Sequence, residues 1–206
     1  MNKLFSTIVL AGGLSRRMGT DKALLNLKHQ YLLERTVEVA WQSGSQTVTI
    51  VTPWPDRYQI LPGVQKCEWI LEECSSSPLE AFYLGIGKIA NPWVLLLACD
   101  LPQISSRSIG KWSQALELLP PQVMAYLPKR ERWEPLCGFY RTDCQHALGQ
   151  FLIDSDRSFQ RWLNMLTVQA IPQVEPTELF NCNTPQQWQQ VLLIHGSNTL
   201  PIQISS

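Results

Sequence analysis

The stretch LFSTIVLAGGLSRRMGTDKALL, residues 4–25, decides the fold of this 206-residue chain. Residues 4–11 form a continuous apolar, β-branched run, which is typical of a strand buried on both faces of a sheet. Gly12 and Gly13 end that run, and three basic side chains follow, which are Arg16, Arg17 and Lys22. Ligands of open α/β sheets bind outside the carboxyl ends of the strands, so this loop is the first candidate site.

The rest of the chain alternates between strand-like and helix-like segments. Further strands are predicted at residues 46–52, 66–73, 92–100, 123–127, 136–140 and 167–171. Helices are predicted at residues 31–44, 78–90, 105–118, 143–153, 157–166 and 185–194. This alternation predicts an α/β fold with a mostly parallel sheet. It continues without a repeat or linker, so we expect one domain over residues 1–195 and a flexible tail at 196–206.

The composition argues against two classes of partner. Lys and Arg number 17 and Asp and Glu also number 17, so the net charge is zero and no whole-protein attraction to nucleic acid or a membrane surface is expected. No apolar run reaches the roughly 20 residues that a membrane span needs. The six cysteines are scattered, without a Cys-x-x-Cys pair, which favours reduced thiols in the cytoplasm over a zinc site or a disulfide framework.

The glycine loop has the chemistry of an anion site. Gly12 and Gly13 lack Cβ, so their backbone N–H groups can approach a phosphate closely, and the basic residues that follow suit a polyphosphate. The loop is not a Walker A motif, because five residues separate Gly13 from Gly19 and Thr-Asp-Lys follows. On composition alone, a glycine turn with solvated arginines remains the alternative.

The motif LAGGLSRRMGTDK, residues 10–22, resembles the signature L-A-G-G-x-S-x-R-M-G-x-D-K of the molybdenum cofactor guanylyltransferases. Two further segments extend the resemblance: VLLLACDLP at 94–102 is similar to the family's metal-binding strand end, and FNCNTPQQW at 180–188 to its N-x-N-T-P segment. The resemblance implies a single-domain, Rossmann-like three-layer fold. It also implies transfer of GMP from GTP to the phosphate of the molybdenum–molybdopterin cofactor, with release of pyrophosphate.

The same resemblance implies roles for individual residues. The implied catalytic residues are Arg17, Lys22 and Asp100, and the implied nucleotide-binding residues are Leu10, Ala11, Gly12, Gly13, Lys22, Glu73 and Asp100. Asp100 would hold Mg²⁺, and the acceptor side would be formed by Asn181 and Asn183. GTP and the molybdopterin cofactor are the implied substrates, and accessory or acceptor proteins of cofactor delivery are the implied partners.

General chemistry agrees with the role of Asp100. Magnesium prefers one or two carboxylates together with phosphate oxygens and waters, and Asp100 follows directly after an apolar strand. Nucleotidyl transfer needs positioning and cations rather than a covalent contribution from the protein. The alternative role for Asp100 is capping of the turn before Pro102.

One segment departs from the family pattern. In LEECSSSPLEA, residues 71–81, Glu73 stands where Asp is usual, Ser77 replaces Gly, and Glu80-Ala81 replaces Ala-Gly. The longer acid shifts any contact to the nucleotide, and the acid at position 80 is expected to repel an anionic acceptor.

These differences leave three alternatives open. They are a molybdopterin cytidylyltransferase, a sugar-phosphate nucleotidyltransferase, and a nucleotide-binding module without activity. The second Gly of LAGG favours guanine, because cytidine-using relatives typically have L-A-A-G at this point. Lys22 and Asp100 argue against an inactive module, since binding alone requires neither a cation at the leaving group nor a metal ligand.

Overall fold

A mixed seven-stranded sheet forms the centre of the protein. The computed structural model describes residues 4–13, 18–73, 77–154 and 157–196. Its strands are β1 Phe5–Leu10, β2 Asn26–Leu27, β3 Gln30–Tyr31, β4 Val48–Thr52, β5 Glu68–Leu71, β6 Trp93–Ala98, β7 Ala125–Leu127, β8 Cys137–Arg141 and β9 Val168–Ala170. The central sheet has the order β5-β4-β1-β6-β8-β7-β9, and β2 and β3 form a separate small hairpin.

The strand directions bring four carboxyl ends to one edge. Strands β5, β4, β1 and β6 run parallel, β8 is antiparallel to both β6 and β7, and β9 is parallel to β7. The mostly parallel α/β sheet expected from the sequence is therefore confirmed. Loops that leave β1, β4, β5 and β6 all emerge at the same edge, which is where the ligand site of such a fold is expected.

Helices cover both faces of the sheet. They are α1 Leu32–Gln42, α2 Pro55–Tyr58, α3 Pro78–Ile86, α4 Ser106–Ser113, α5 Cys144–Ile153, α6 Phe159–Leu163 and α7 Pro185–Ile194. On β1, Phe5 and Val9 pack into the core with α1 and α4, whereas Ile8 and Leu10 pack into the core with α3, α5 and α6. Alternate residues of a buried strand thus supply two cores, which gives the three layers.

Helix α3 lies unusually close to the sheet. A Cβ on Gly85 would stand 2.9 Å from Ile8 Cδ1 and 3.2 Å from Val51 Cγ2, so the residue without a side chain permits this approach. At the other end of the helix, Ser77 Oγ accepts a hydrogen bond from the Glu80 N–H, and Pro78 occupies the first turn. The tight packing fixes the start of α3 beside the carboxyl edge of the sheet.

Some boundaries differ from the sequence expectation. The helix predicted at 105–118 ends at Ser113 and continues as turns, and the strand predicted at 66–73 is confined to Glu68–Leu71. The β2–β3 hairpin was not predicted, because its turn places Lys28 and His29 at φ 52° and 67° instead of the usual Asn-Gly pair. Apart from Gly196, the predicted tail lies outside the described residues.

Candidate active site

A cleft of about 630 Å³ opens at the carboxyl edge of β1, β4, β5 and β6. Its lining includes all seven nucleotide-binding residues expected from the sequence, namely Leu10, Ala11, Gly12, Gly13, Lys22, Glu73 and Asp100. The fold therefore brings together residues that lie up to ninety positions apart along the chain, as expected for loops that leave neighbouring parallel strands.

Lys22 stands at the centre of the polar groups. Its Nζ lies 3.3 Å from Asp100 Oδ2, and both side chains are 19% exposed. The same ammonium also donates to Asn183 Oδ1. Three segments far apart in sequence, the glycine loop, the end of β6 and the start of α7, thus converge on one cation.

The segment before α7 is fixed by its own backbone bonds. The Cys182 N–H donates to the Asp100 carbonyl at 2.9 Å, which ties this segment to the end of β6. Thr184 and Gln187 form a capping box at the start of α7, and Gln187 Oε1 also accepts from the Asn183 N–H at 2.8 Å. The N-C-N-T-P sequence is therefore a rigid support for the Asn183 amide.

The glycine loop continues the sheet and then leaves it. Ala11 donates its N–H to the Val51 carbonyl and accepts from Thr52 Oγ1 with its own carbonyl, so its backbone is engaged at the sheet edge. Gly12 follows with no room for a side chain, since a Cβ there would stand 2.6 Å from Glu72 Oε2. Gly13 has φ +151°, a conformation that favours glycine. These two glycines therefore present bare backbone to the cleft.

The acid that stands against Gly12 is Glu72, which was not predicted as a site residue. Burial, and secondly the charge of Glu80, raise the pKa of the Glu72 carboxyl to about 7. Glu73, the residue expected to face the nucleotide, is exposed but also lines the cleft. The register Thr52–Leu71 between β4 and β5 puts the next residue, Glu72, level with the glycine loop, and the sequence carries no signal for that register.

An aromatic and charged group forms the wall beside Lys22. Asp21 Oδ2 accepts from the Tyr58 hydroxyl at 2.7 Å and from the Arg57 guanidinium at 2.9 Å. The Arg57 guanidinium in turn lies 4.7 Å from the centre of the Trp54 ring, which lines the cleft. This group was not predicted from the sequence, because PWPDRY at residues 53–58 is typical only of a turn after a strand.

Two thiols close to Lys22 and Asp100 have raised pKa values. Burial, and secondly the charge of Asp100, raise the pKa of the Cys99 thiol to about 12. Burial likewise raises the pKa of Cys182 to about 12, although Lys22 partly opposes the shift. Both thiols are neutral at physiological pH, so neither supplies a thiolate nucleophile.

The remaining predicted site residues have different outcomes. Arg17, expected to be catalytic, lies outside the described residues together with Arg16. Asn181 is half-buried two positions before Asn183. Glu80 does not stand as an isolated charge, because its Oε1 accepts from Arg157 Nε at 2.8 Å. The expected repulsion of an anionic acceptor by Glu80 is therefore reduced by a neighbouring cation.

The donor set fits a magnesium ion. Asp100 offers a partly exposed carboxylate at the end of β6, next to the amide oxygen of Asn183, and these are hard oxygen ligands. Within the described part of the chain, no three His, Cys, Asp or Glu side chains gather as a ligand set. The ion would therefore be bound by Asp100 together with phosphate oxygens, which is the usual arrangement for Mg²⁺.

Comparison with known proteins agrees with the fold. The sequence model of the family described as MobA-like NTP transferase domain matches residues 7–171. The chain is 44% identical over 189 residues to a probable molybdenum cofactor guanylyltransferase from Nostoc sp., covering 90% of this chain and 89% of that protein. It is 42% identical to a protein of the same description from Synechococcus elongatus, covering 92% and 98%.

Solved structures support the fold independently. Molybdopterin-guanine dinucleotide biosynthesis protein A from Archaeoglobus fulgidus superposes with a TM-score of 0.76, at 21% identity, over 93% of this chain and 98% of that one. The fold and the cleft define a nucleotidyltransferase. The chain belongs to the MobA-like NTP transferase family, which the glycine motif had indicated.

Among the described residues, no helix is long and apolar enough to span a membrane.

Proposed function

We propose that the protein is a molybdenum cofactor guanylyltransferase, which transfers GMP from GTP to the phosphate of the molybdenum–molybdopterin cofactor and releases pyrophosphate. The observation that carries the proposal is the convergence of Lys22 and Asp100 beside the Gly12-Gly13 backbone in one cleft, with the Asn183 amide oxygen accepting a hydrogen bond from Lys22. The names of the 42–44% identical relatives point to the same reaction.

The glycine loop and the acids at the end of β5 would bind the nucleoside. Bare backbone at Gly12 and Gly13 admits the base and ribose closely, and Glu72 offers carboxylate oxygens that accept from the N–H groups of guanine. Glu73 remains a candidate contact at the mouth of the cleft. Leu10 and Ala11 set the position of these groups as the last residues held by the sheet.

The phosphates would lie beside Lys22 and Asp100. The acceptor phosphate attacks the α-phosphorus of GTP, the bond between the α-phosphorus and the bridging oxygen breaks, and pyrophosphate leaves. Lys22 neutralises negative charge on the phosphates as the leaving group departs. Bound at Asp100, a magnesium ion would supply further charge neutralisation on the leaving pyrophosphate. Arg17 is proposed to share the role of Lys22.

The acceptor would enter from the side of α7. Asn183 is held by Gln187 and the α7 capping box, and we propose that Asn181 and Asn183 line the path of the cofactor.

We propose a cytoplasmic location, because free thiols fit a reducing compartment. The free thiols are Cys67, Cys99, Cys137, Cys144 and Cys182. Accessory or acceptor proteins that deliver or receive the cofactor complete the proposed partners.

The test is pyrophosphate release with each of the four nucleoside triphosphates, with Mg²⁺, with and without molybdopterin cofactor. We expect release that requires GTP and the cofactor together. Preference for CTP would instead identify a cytidylyltransferase, and activity with a sugar phosphate would identify a sugar-phosphate nucleotidyltransferase. Thermal stabilisation by GTP without any release would identify a binding module.

A further inference from the structure

The turn that carries Lys22 is anchored through the side chain before it. Asp21 caps the 3₁₀ turn Lys22–Leu24 by accepting from the Ala23 N–H with Oδ1 at 3.1 Å. Its other oxygen, Oδ2, accepts from Tyr58 and Arg57 of helix α2. One carboxylate therefore joins the turn to an element that follows β4.

Tyr58 makes that anchor rigid. Its side chain is 1% exposed and packs among core residues between the sheet and α1, so only its hydroxyl reaches the cleft wall. The Arg57 side chain is 47% exposed, and exposed ion pairs hold a position weakly. Burial and the neighbouring Asp21 raise the pKa of Tyr58 well above its usual value, so the phenol remains a hydrogen-bond donor at any working pH.

The turn itself is too short to hold its position. Two backbone bonds close it, from the Leu24 N–H to the Asp21 carbonyl and from the Leu25 N–H to the Lys22 carbonyl, each 3.1 Å long. Turns of this kind are stabilised mainly by their surroundings, since i→i+3 geometry is poor and helices this short are marginal. The Lys22 ammonium is held at its tip by Asp100 and Asn183, and the backbone at residues 21 and 22 sets the point from which its flexible four-carbon stem starts.

We propose that Tyr58, acting through Asp21, is a positioning residue that aims Lys22 at the reacting phosphates. The proposal rests on the role given to Lys22 in the proposed function. It goes beyond that role, because it assigns part of the transition-state geometry to a buried hydroxyl outside the glycine motif. Small displacements of a positioned group cost rate even when the group itself is intact.

The test compares two Tyr→Phe variants that each delete one buried hydroxyl. Tyr58→Phe removes the bond to Asp21, and Tyr140→Phe removes a bond of the same 2.7 Å length to the Pro135 carbonyl, in a pair of residues that do not line the cleft. We expect similar losses of melting temperature from both variants. Only Tyr58→Phe should lower kcat, by about 10- to 100-fold, with KM for the nucleotide close to that of wild type.

A third measurement separates positioning from a general structural effect. If Tyr58 acts through Lys22, adding Tyr58→Phe to Lys22→Ala should lower the melting temperature again but should not lower kcat further. A second loss of kcat in the double variant would overturn the proposal. So would equal turnover of Tyr58→Phe and Tyr140→Phe.

A variant at Asp21 keeps the test valid if Tyr58→Phe does not fold. Asp21→Ser retains an N-cap acceptor for the Ala23 N–H but is too short to reach Tyr58, so it should show the same fall in kcat. All rates are measured with the nucleotide that wild type prefers. A wild type that prefers CTP would overturn the guanylyl assignment and leave the Tyr58 result intact. A wild type without transfer activity would overturn both.

Discussion

The Lys22 ammonium lies 3.3 Å from the Asp100 carboxylate, although 78 positions separate the two residues in the sequence. The cation and the proposed metal ligand therefore offset each other's charge in this structure. Substrate phosphates with a divalent ion would give each group a new partner. We propose that the pair binds a metal–triphosphate complex, and mutation of each residue tests its role separately.

Lys22→Ala should depress turnover strongly and change stability little. Loss of one preorganised group at the reacting phosphates typically costs about 10²–10³ in rate. The pair with Asp100 is partly exposed, so its loss should cost about 1 kcal/mol or less, or about 2–4 °C in melting temperature. Pyrophosphate release and thermal melting measure the two effects. A fully active variant would show that Lys22 does not act on the phosphates.

Gly12→Ala should weaken the preference for guanine. GTP is expected to raise the melting temperature of wild type more than CTP does at equal concentration. A Cβ at residue 12 would stand 2.6 Å from Glu72 Oε2, so the carboxylate must move, while the backbone of Gly12 is not left-handed and accepts alanine. Loss of a hydrogen bond to the Glu72 carboxyl predicts up to about tenfold weaker GTP binding.

Gly110→Ala is the matched control for that experiment. Gly110 lies in α4, and a Cβ there meets nothing within 4 Å, so this variant should bind both nucleotides as wild type does. Equal loss of GTP and CTP binding in Gly12→Ala would contradict a role of Glu72 in base selection. It would favour a simple narrowing of the cleft.

The raised pKa of Glu72 predicts a pH-dependent stability. The folded pKa, about 7, lies above the ordinary value of 4.5, so the folded state binds the proton more tightly over this interval. The free energy of unfolding should therefore decrease as pH rises from about 4.5 through 7. Glu72→Gln cannot bind or release this proton. The melting temperature of the variant minus that of wild type should therefore increase from pH 5 to pH 8.

Two neighbouring acids provide the controls. Glu73→Gln removes the same charge from an exposed side chain and should leave the pH dependence unchanged. Glu80→Gln removes the charge that is the second cause of the shift, so it should move the pH-dependent change to lower pH. A Glu72→Gln variant with the pH profile of wild type would show that the carboxyl is already ionised in the folded state near pH 5.

The parts of the fold that were predicted from sequence are those with regular patterns. The apolar run of β6 and the helix at Pro185–Ile194, with its Thr184 cap and first-turn proline, are recognisable because local sequence and tertiary burial favour the same structure. The Lys28-His29 turn and the short α2 helix carry no such signal, since tertiary packing rather than local propensity stabilises them.

The site residues that could be predicted from the sequence are those that belong to a recognisable motif. LAGG, Lys22 and Asp100 each follow a strand, so the parallel topology alone brings them together. The roles of Glu72 and Tyr58 depend on register and packing: which of two adjacent acids faces Gly12, and which aromatic side chain reaches Asp21. Sequence spacing does not contain that information, because a one-residue change in register exchanges the faces of a strand.

Asp100→Asn should abolish transfer while leaving the fold nearly intact. The carboxylate lies directly after β6 with a fifth of its surface exposed, and the amide keeps its shape and still accepts from Lys22. The change removes the negative charge that is proposed to hold Mg²⁺. We expect a melting temperature within about 2–4 °C of wild type, the shift that corresponds to roughly 1 kcal/mol for a chain of this length.

Metal titration in the presence of GTP and acceptor distinguishes the two roles of Asp100. Wild type should form product at ordinary Mg²⁺ concentrations, whereas the variant should remain inactive or need far more Mg²⁺, since a neutral amide is a much weaker ligand. Glu73→Gln, which loses an acid elsewhere on the same cleft, should keep the magnesium dependence of wild type. An Asp100→Asn variant that is active at ordinary Mg²⁺ would assign Asp100 to the turn before Pro102 and would move the metal to another ligand.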